Sequence, residues 1–333
     1  MADKFKVLFC GEEFQWGFRF TAQQLDQEQG VQVVTCPRAQ VAQEIRDAHV
    51  AVPLACGRLD AAILDQAPNL QMILQYGVGV EGVDIPAATE RGIWVSNIPS
   101  TGTGNALSCA EQAIYLMLAL LRDAHGMAES IQQHRLGVPL GQTLFGKTVL
   151  IVGFGNIAME LVPRLKPFGC KLTAVRRSPW AGQSPHEADL EAKGTWLDLY
   201  PMAAAADLIV LTCAQNEQTR NMVNAAFLAD CKPDVRIINV ARGGLLDYDA
   251  VKAALEGGRI GGLGLDVQWQ EPWHPDDYVS THPRVVLTPH VAGVTDISYR
   301  NMAKIVAKEV LQIQAGKPPT VQLNTPSTPR NAL

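Results

Sequence analysis

The stretch Thr148–Ser178, T-V-L-I-V-G-F-G-N-I-A-M-E-L-V-P-R-L-K-P-F-G-C-K-L-T-A-V-R-R-S, restricts the fold of the whole chain more than any other. An uninterrupted apolar run, Val149–Val152, leads to Gly153. Such a run fits a strand buried on both faces, as in a parallel sheet. Gly153, Gly155 and Ala158 then spell G-x-G-x-x-A. The first glycine permits a tight turn, the second lets a pyrophosphate approach the backbone, and the alanine lets the next helix pack close to the strand. That helix is predicted over Asn156–Leu165, so Asn156 and Ile157 offer free N–H groups at the positive end of its dipole. Gly169 ends the segment and Leu172–Val175 reads as the second strand. The motif alone is a weak signal and also fits a nucleotide-free flavodoxin-like turn. Its place between two strand patterns at βαβ spacing is what points to a dinucleotide.

The second strand ends unusually. An acidic residue about 20 positions on commonly bonds the ribose 2′-OH, but here Arg176, Arg177 and Ser178 stand in that place. Two guanidiniums and a hydroxyl suit a 2′-phosphate, which a carboxylate would repel. The expected cofactor is therefore NADP(H) in preference to NAD(H), with NAD(H) possible. The competing reading is a solvated arginine pair with weak cofactor selectivity.

With 333 residues the chain is long enough for two domains with their own cores. A net charge of −5 supplies no general basic field for nucleic acid or anionic membrane. Seven cysteines (10, 36, 56, 109, 170, 213 and 231) are scattered without a C-x-x-C pair. That pattern suits reduced thiols in a cytoplasmic setting and neither a disulfide framework nor a metal site. The N-terminus leads directly into a strand pattern with no signal-peptide character, and the apolar helix candidate Ala113–Leu121 is too short to span a bilayer.

Residues 1–100 alternate strand and helix patterns: Lys6–Cys10, Phe18–Gln29, Val31–Cys36, Val41–Ala48, His49–Leu54, Asp60–Gln66, Leu70–Leu74, Ile85–Glu90 and Ile93–Asn97. A long helix about Gly104–Leu121 and a second about Met127–Leu136 follow. Beyond the βαβ unit, strands are expected at Leu208–Leu211, Val235–Val240, Leu263–Val267 and Val285–Thr288, then a helix at Asp296–Gln314 and a Pro-rich tail, loosely ordered beyond Asn324. Gln71–Val95 and Val149–Val175 share one pattern of strand, G-x-G, helix, Gly, strand. The expectation is an α/β protein of two doubly wound parallel-sheet domains, one flavodoxin-like and one Rossmann, with a cleft between them. Residues 1–100 plus 296–333 form one and 101–295 the other; a single larger sheet is the less favoured alternative.

Ligands of open α/β sheets sit beyond the carboxyl ends of the strands. Arg242 in N-V-A-R-G-G, Asp266 and Glu271 in L-D-V-Q-W-Q-E-P, and His290 in T-P-H-V-A-G all fall there. Each alone has a structural explanation as a turn salt bridge, a loop cap or a helix cap. Their recurrence at the edge that carries the dinucleotide turn is much harder to explain that way.

These motifs, with Y-G-V-G-V-E-G-V-D and N-I-P-S-T-G-T-G-N-A-L-S-C-A-E, resemble in order and spacing the D-isomer-specific 2-hydroxyacid dehydrogenases, over about Leu70 to Arg300. The glyoxylate/hydroxypyruvate reductase and phosphoglycerate dehydrogenase branches look most similar. The resemblance implies NAD(P)H-dependent reduction of a small 2-oxo acid to the D-2-hydroxy acid. It makes His290 the acid/base, Glu271 its partner and Arg242 the substrate clamp. It implies that the Val78 and Gly79 amides form a second carboxylate cradle, that Asn105 and Ser108 lie near the nicotinamide and that Asp266 meets its carboxamide. Gly153, Gly155, Cys213 and Ala241 join the expected cofactor contacts, residues 1–100 plus 296–333 become the substrate-binding domain and 101–295 the dinucleotide-binding domain, and a homodimer is implied.

Physical chemistry supports the core roles, since a His is matched to proton transfer near neutral pH and Arg offers a rigid fork for a carboxylate. Some features depart from the family. Thr212-Cys213-Ala214 stands where a Pro is common after the strand, putting the adenosine contacts there in doubt, and Gln268-Trp269 replaces the usual Phe-Glu. His274 is a rival acid/base in what reads as a solvated turn. The loop Gly11–Trp16 either narrows the substrate site or anchors the following helix, and Arg58 either meets a distal anionic group or is solvated. A phosphoglycerate dehydrogenase-like enzyme and a non-catalytic, dinucleotide-sensing corepressor-like binder are the main alternatives. The absence of long disordered arms counts against the binder and Glu271 counts against formate oxidation, with phosphite oxidation a minor alternative.

Overall fold

Continuous apolar runs in this chain become strands with both faces covered. The computed structural model describes residues 4–28, 30–54, 57–180, 182, 184 and 186–330. Gln29, the expected end of the first helix, and Cys56 lie outside them. The other six cysteines are free thiols.

The chain divides into two compact units, residues 1–105 with 294–333, and residues 106–293. Unit 1 runs β1 (Phe5–Cys10), α1 (Gln15–Leu25), β2 (Val31–Cys36), α2 (Val41–Glu44), β3 (Val50–Pro53), α3 (Ala61–Leu64), β4 (Met72–Gln75), α4 (Ile85–Glu90) and β5 (Trp94–Asn97). Its five strands are all parallel in the order β2-β1-β3-β4-β5. Every residue of β3 and β4 is buried, as a parallel sheet covered on both faces requires.

Unit 2 holds nearly all of α5 (Asn105–Leu121), then α6 (Ala124–Gln132), β6 (Thr148–Val152), α7 (Asn156–Leu165), β7 (Lys171–Val175), β8 (Ala192–Gly194), α8 (Leu199–Ala205), β9 (Leu208–Leu211), α9 (Ala225–Asp230), β10 (Arg236–Asn239), α10 (Tyr248–Glu256), β11 (Gly262–Leu265), α11 (Tyr278–Thr281) and β12 (Val285–Leu287). Its seven parallel strands are ordered β12-β11-β10-β9-β6-β7-β8. The chain leaves β6 in one direction, to β7 and β8, and returns to β6's other side with β9. That reversal is the switch point at which such sheets bind ligands. The C-terminal helix, α12 (Asp296–Gln314), returns to unit 1 and packs through Tyr299, Met302 and Val306 into the core that includes Phe9 and Leu74.

The joins fall at 105/106 and 293/294, a few residues from those expected near 100 and 295. The reason is local. Thr103 Oγ1 donates to Ser100 O, Asn301 Nδ2 donates to Thr103 O, and Gly104 (φ 82) lies against Ile297, so residues 101–104 belong to unit 1. The helix expected at Met127–Leu136 begins earlier, at Ala124, because Asp123 accepts a hydrogen bond from the Gly126 N–H. It ends earlier, before His134 and Gly137 take left-handed conformations at φ 53 and 78. The short strand β8 had no apolar run to announce it.

The tail departs most from expectation. Asn324 accepts from the Val95 amide and donates to Ile93 O and Thr89 Oγ1. Leu323 donates to Val95 O, so both backbone groups of that residue on edge strand β5 are occupied. Pro326 is buried, and Arg330 donates to the carbonyls of Ala67, Pro68 and Leu70. Residues 325–330 are therefore held in place; the spacing of their polar anchors carries no periodic signal. Among the described residues no helix is long and apolar enough to cross a membrane.

Candidate active site in unit 2

The dinucleotide turn sits where β6 ends. Gly153 takes φ 97, and a Cβ there would lie 2.7 Å from the Cys213 amide nitrogen and 2.8 Å from its Cα. Thr212, just past β9, donates its hydroxyl to Gly153 O at 2.8 Å. Thr212 and Cys213, which stand where the family commonly has Pro, thus brace the turn from the other side of the switch point. Burial pushes the Cys213 thiol up to about 12, so it stays protonated and behaves as a packing group.

Gly155 differs. Its backbone is extended, and a Cβ there would meet no protein atom within 4 Å. Neither conformation nor packing in the protein demands a glycine. Space for a group approaching the backbone does. Gly155 and Asn156 are exposed and Ile157 half-buried at the start of α7, and no side chain caps that helix, whereas Asp247 caps α10 and Thr295 caps α12. Ala158 is fully buried against the sheet. Open approach and the positive end of a helix dipole fit a dinucleotide pyrophosphate.

Arg176, Arg177 and Ser178 follow β7, the first half-buried and the other two exposed. Neither arginine has a carboxylate partner among the described residues. The Arg176 guanidinium instead lies over the Trp180 ring at 5.3 Å.

Arg242 follows β10. The side chain of Asn239, itself fully buried, accepts from the Ala241 amide and donates to Arg242 O, clamping the backbone on both sides of the turn. Arg242 Nη1 donates to Ala241 O at 2.7 Å. The next residue, Gly243, lies so close to the loop after β11 that a Cβ would fall 2.0 Å from Gln268 O. The N-V-A-R-G-G and L-D-V-Q-W-Q-E-P loops are therefore packed backbone to backbone. Trp269 secures the second by donating its indole N–H to Leu246 O.

Asp266, only 1% exposed, is the hub of the third loop. Its carboxylate accepts from the Thr288 hydroxyl at 2.6 Å and from the Val291 and Ala292 amides at 3.0 and 2.8 Å, and its carbonyl accepts from the His290 amide at 2.9 Å. Gln112 on α5 donates to Thr288 Oγ1 at 3.0 Å and extends the network. Burial pushes the Asp266 carboxyl above its ordinary value, against the opposing pull of Thr288, Ala292, Val291 and His290. His290 takes φ 54, a left-handed conformation that a non-glycine residue holds only where its surroundings fix it.

From that position His290 Nδ1 lies 2.6 Å from Glu271 Oε2, while the Gln268 amide donates to Glu271 Oε1 at 2.9 Å. The pair is partly buried, with 29% and 15% of the two side chains exposed. The rival His274 is exposed in a turn, accepting from the Asp276 amide through its own Nδ1. Ser108 is buried on α5.

Unit 1 holds the remaining expected residues. Val78 is exposed and Gly79 half-buried after β4, and neither amide donates to a protein acceptor among the described residues. Asn97 donates to Val78 O and steadies the loop. Arg58, with Arg38, Cys10 and Pro53, lines a cavity of about 270 Å³. Trp16 lies half-exposed in the first turn of α1, against Phe20 of the same helix at 5.9 Å. Sequence reasoning missed Asn239, Gln112 and Thr288, which touch other protein groups. For Asn239 a signal existed: an amide directly after the apolar pair Ile237-Ile238, at the end of the strand.

Residues 114–292 match the family model for the D-isomer specific 2-hydroxyacid dehydrogenase NAD binding domain. Over 297 residues the chain is 32% identical to glyoxylate reductase of Thermococcus gammatolerans, covering 86% of each. It is 35% identical over 266 residues to D-3-phosphoglycerate dehydrogenase of Synechocystis, covering 79% of this chain and 46% of that one. Among solved structures, the NADPH-dependent glyoxylate/hydroxypyruvate reductase of Sinorhizobium meliloti in complex with NADP and malonate aligns with TM-score 0.82 and 28% identity, covering 99% of this chain and 100% of that one. The chain belongs to the D-isomer-specific 2-hydroxyacid dehydrogenase family and is an oxidoreductase that uses a nicotinamide dinucleotide.

The two glycines of the turn give a paired test. Gly153→Ala should lower stability by about 2–4 kcal/mol in urea unfolding, through its clash with Cys213 and its left-handed backbone. Gly155→Ala should leave stability within about 0.5 kcal/mol and raise the cofactor KM roughly tenfold or more. Equal behaviour of the two variants would contradict the roles given to them.

Proposed function

We propose that this protein is an NADP(H)-preferring reductase of small 2-oxo acids, of the glyoxylate or hydroxypyruvate type, that forms the D-2-hydroxy acid. The observation that carries the reading is the 2.6 Å contact of His290 Nδ1 with Glu271 Oε2, at the sheet edge that also bears Arg242 and the uncapped glycine-rich turn. The names of similar proteins, glyoxylate reductase and an NADPH-dependent glyoxylate/hydroxypyruvate reductase, agree with it.

Reduction of a 2-oxo acid places hydride on the carbonyl carbon and a proton on its oxygen. A bound reduced nicotinamide supplies the hydride. Glu271 fixes the tautomer and orientation of the imidazole through Nδ1, which assigns proton delivery to Nε2. Arg242 binds the substrate carboxylate with its fork and polarises the carbonyl. Gly153, Gly155, Asn156 and Ile157 receive the pyrophosphate. Arg176, Arg177 and Ser178 receive the 2′-phosphate, and Ser108, Cys213 and Ala241 complete the cofactor contacts. Asp266, engaged by three donors of the loop after β12, acts mainly by placing His290.

The arm around α6 leaves Met127, Ile131, Leu136, Val138, Leu140 and Phe145 exposed. An apolar surface of that extent favours pairing with a second copy of the chain. Light scattering should report twice the chain mass, falling to one chain in an Ile131→Asp/Leu136→Asp variant. A wild-type monomer would remove the dimer reading.

Steady-state assays over a panel of 2-oxo acids with each cofactor test the activity. NADPH should give the higher kcat/KM with glyoxylate or hydroxypyruvate, and His290→Ala should lower kcat by about 10²–10⁴ with cofactor affinity unchanged. Equal kcat/KM with NADPH and NADH removes the cofactor preference, and an unaltered kcat in the variant removes the role of His290.

A further inference from the structure

Trp180, partly buried against the core of unit 2, gathers an unusual set of neighbours. Its ring packs on Phe154, inside the glycine-rich motif, with centroids 5.0 Å apart. The Arg176 guanidinium lies 5.3 Å from its centroid and the Lys193 ammonium 5.5 Å. Its indole N–H donates to Gly194 O at 2.9 Å, the carbonyl that also accepts from the Arg176 amide. Lys193 belongs to β8, which pairs with β7, and its ammonium is 3.3 Å from Glu187 Oε2.

Two like charges held against one ring repel each other, and the ring face offsets part of that repulsion by cation–π attraction. The cost of assembling them falls further when a dianion arrives, because Arg176 then gains a charge-assisted partner and Lys193 a second one besides Glu187. A 2′-phosphate is such a dianion near neutral pH. The contact with Phe154 fixes the whole cluster relative to the turn that would receive the pyrophosphate.

We propose that Trp180 is a positioning residue for the cofactor's 2′-phosphate, holding Arg176 and Lys193 as a preassembled cationic pair beside the glycine-rich turn. Lys193 thereby becomes a third phosphate-binding cation besides Arg176 and Arg177. The inference rests on the NADP(H) reading above and adds which residues set its strength.

Calorimetric titration of the full-length protein with 2′,5′-ADP and with 5′-ADP separates the two. Wild type should bind 2′,5′-ADP more tightly. Trp180→Ala should weaken 2′,5′-ADP about tenfold and leave 5′-ADP within about twofold, whereas Trp180→Phe, which keeps a ring, should retain most of the difference. Lys193→Gln should weaken 2′,5′-ADP roughly three- to tenfold without changing 5′-ADP. A merely structural Trp180 would make the alanine variant lose affinity for both nucleotides equally, and that result overturns the inference while leaving the NADP(H) reading intact. Unchanged 2′,5′-ADP affinity in the alanine variant does the same. If that variant does not fold, wild-type 2′,5′-ADP affinity in Lys193→Gln overturns it. A wild type that binds the two nucleotides equally removes both readings.

Discussion

The buried carboxylate of Asp266 carries more of this active site than any other group. Three donors converge on it, all from residues 288–292, and its carbonyl takes the amide of His290. Burial alone would favour the neutral acid, and the hydrogen bonds oppose that tendency. They also hold the loop after β12 in the one conformation, with His290 left-handed, that sends the imidazole toward Glu271. The contact between His290 and Glu271 thus depends on a third, buried carboxyl group, that of Asp266.

Backbone proximity does the rest. The loop bearing Arg242 touches the loop leading to Glu271 at Gly243, where no side chain fits. The loop after β9 touches the dinucleotide turn at Gly153 in the same way. Parallel strands end at one edge, so the loops after β6, β9, β10, β11 and β12 all emerge together. Gly155 is a glycine of the opposite kind: it faces open space, and its smallness serves what approaches from outside.

Much of this was legible in the sequence because it rests on local patterns. The runs Val149–Val152 and Leu208–Leu211, the helix Asn156–Leu165 and the helix Asp296–Gln314 stand where apolar periodicity and glycine punctuation put them. The recurrence of Arg242, Glu271 and His290 beyond strand ends pointed to a shared site, and of these His290 and Glu271 meet in the structure. Long-range pairings were not legible. Asn324 and Arg330 stitch the tail to β5 and its neighbours across more than two hundred residues of chain, and a Pro-rich composition says nothing of that. The Gln112–Thr288–Asp266 chain and the Trp180 cluster likewise join residues whose separate positions carry no pattern.

That His290 and Glu271 work as one unit is most directly tested by a double-mutant cycle on kcat for 2-oxo acid reduction. It needs Glu271→Gln, His290→Ala and the two combined. Coupling through the Nδ1 contact predicts that Glu271→Gln lowers kcat by about 10-fold or more in the wild-type background and changes it little once His290 is gone. If the two losses multiply in full, the carboxylate and the imidazole act separately, and the account of this site is wrong.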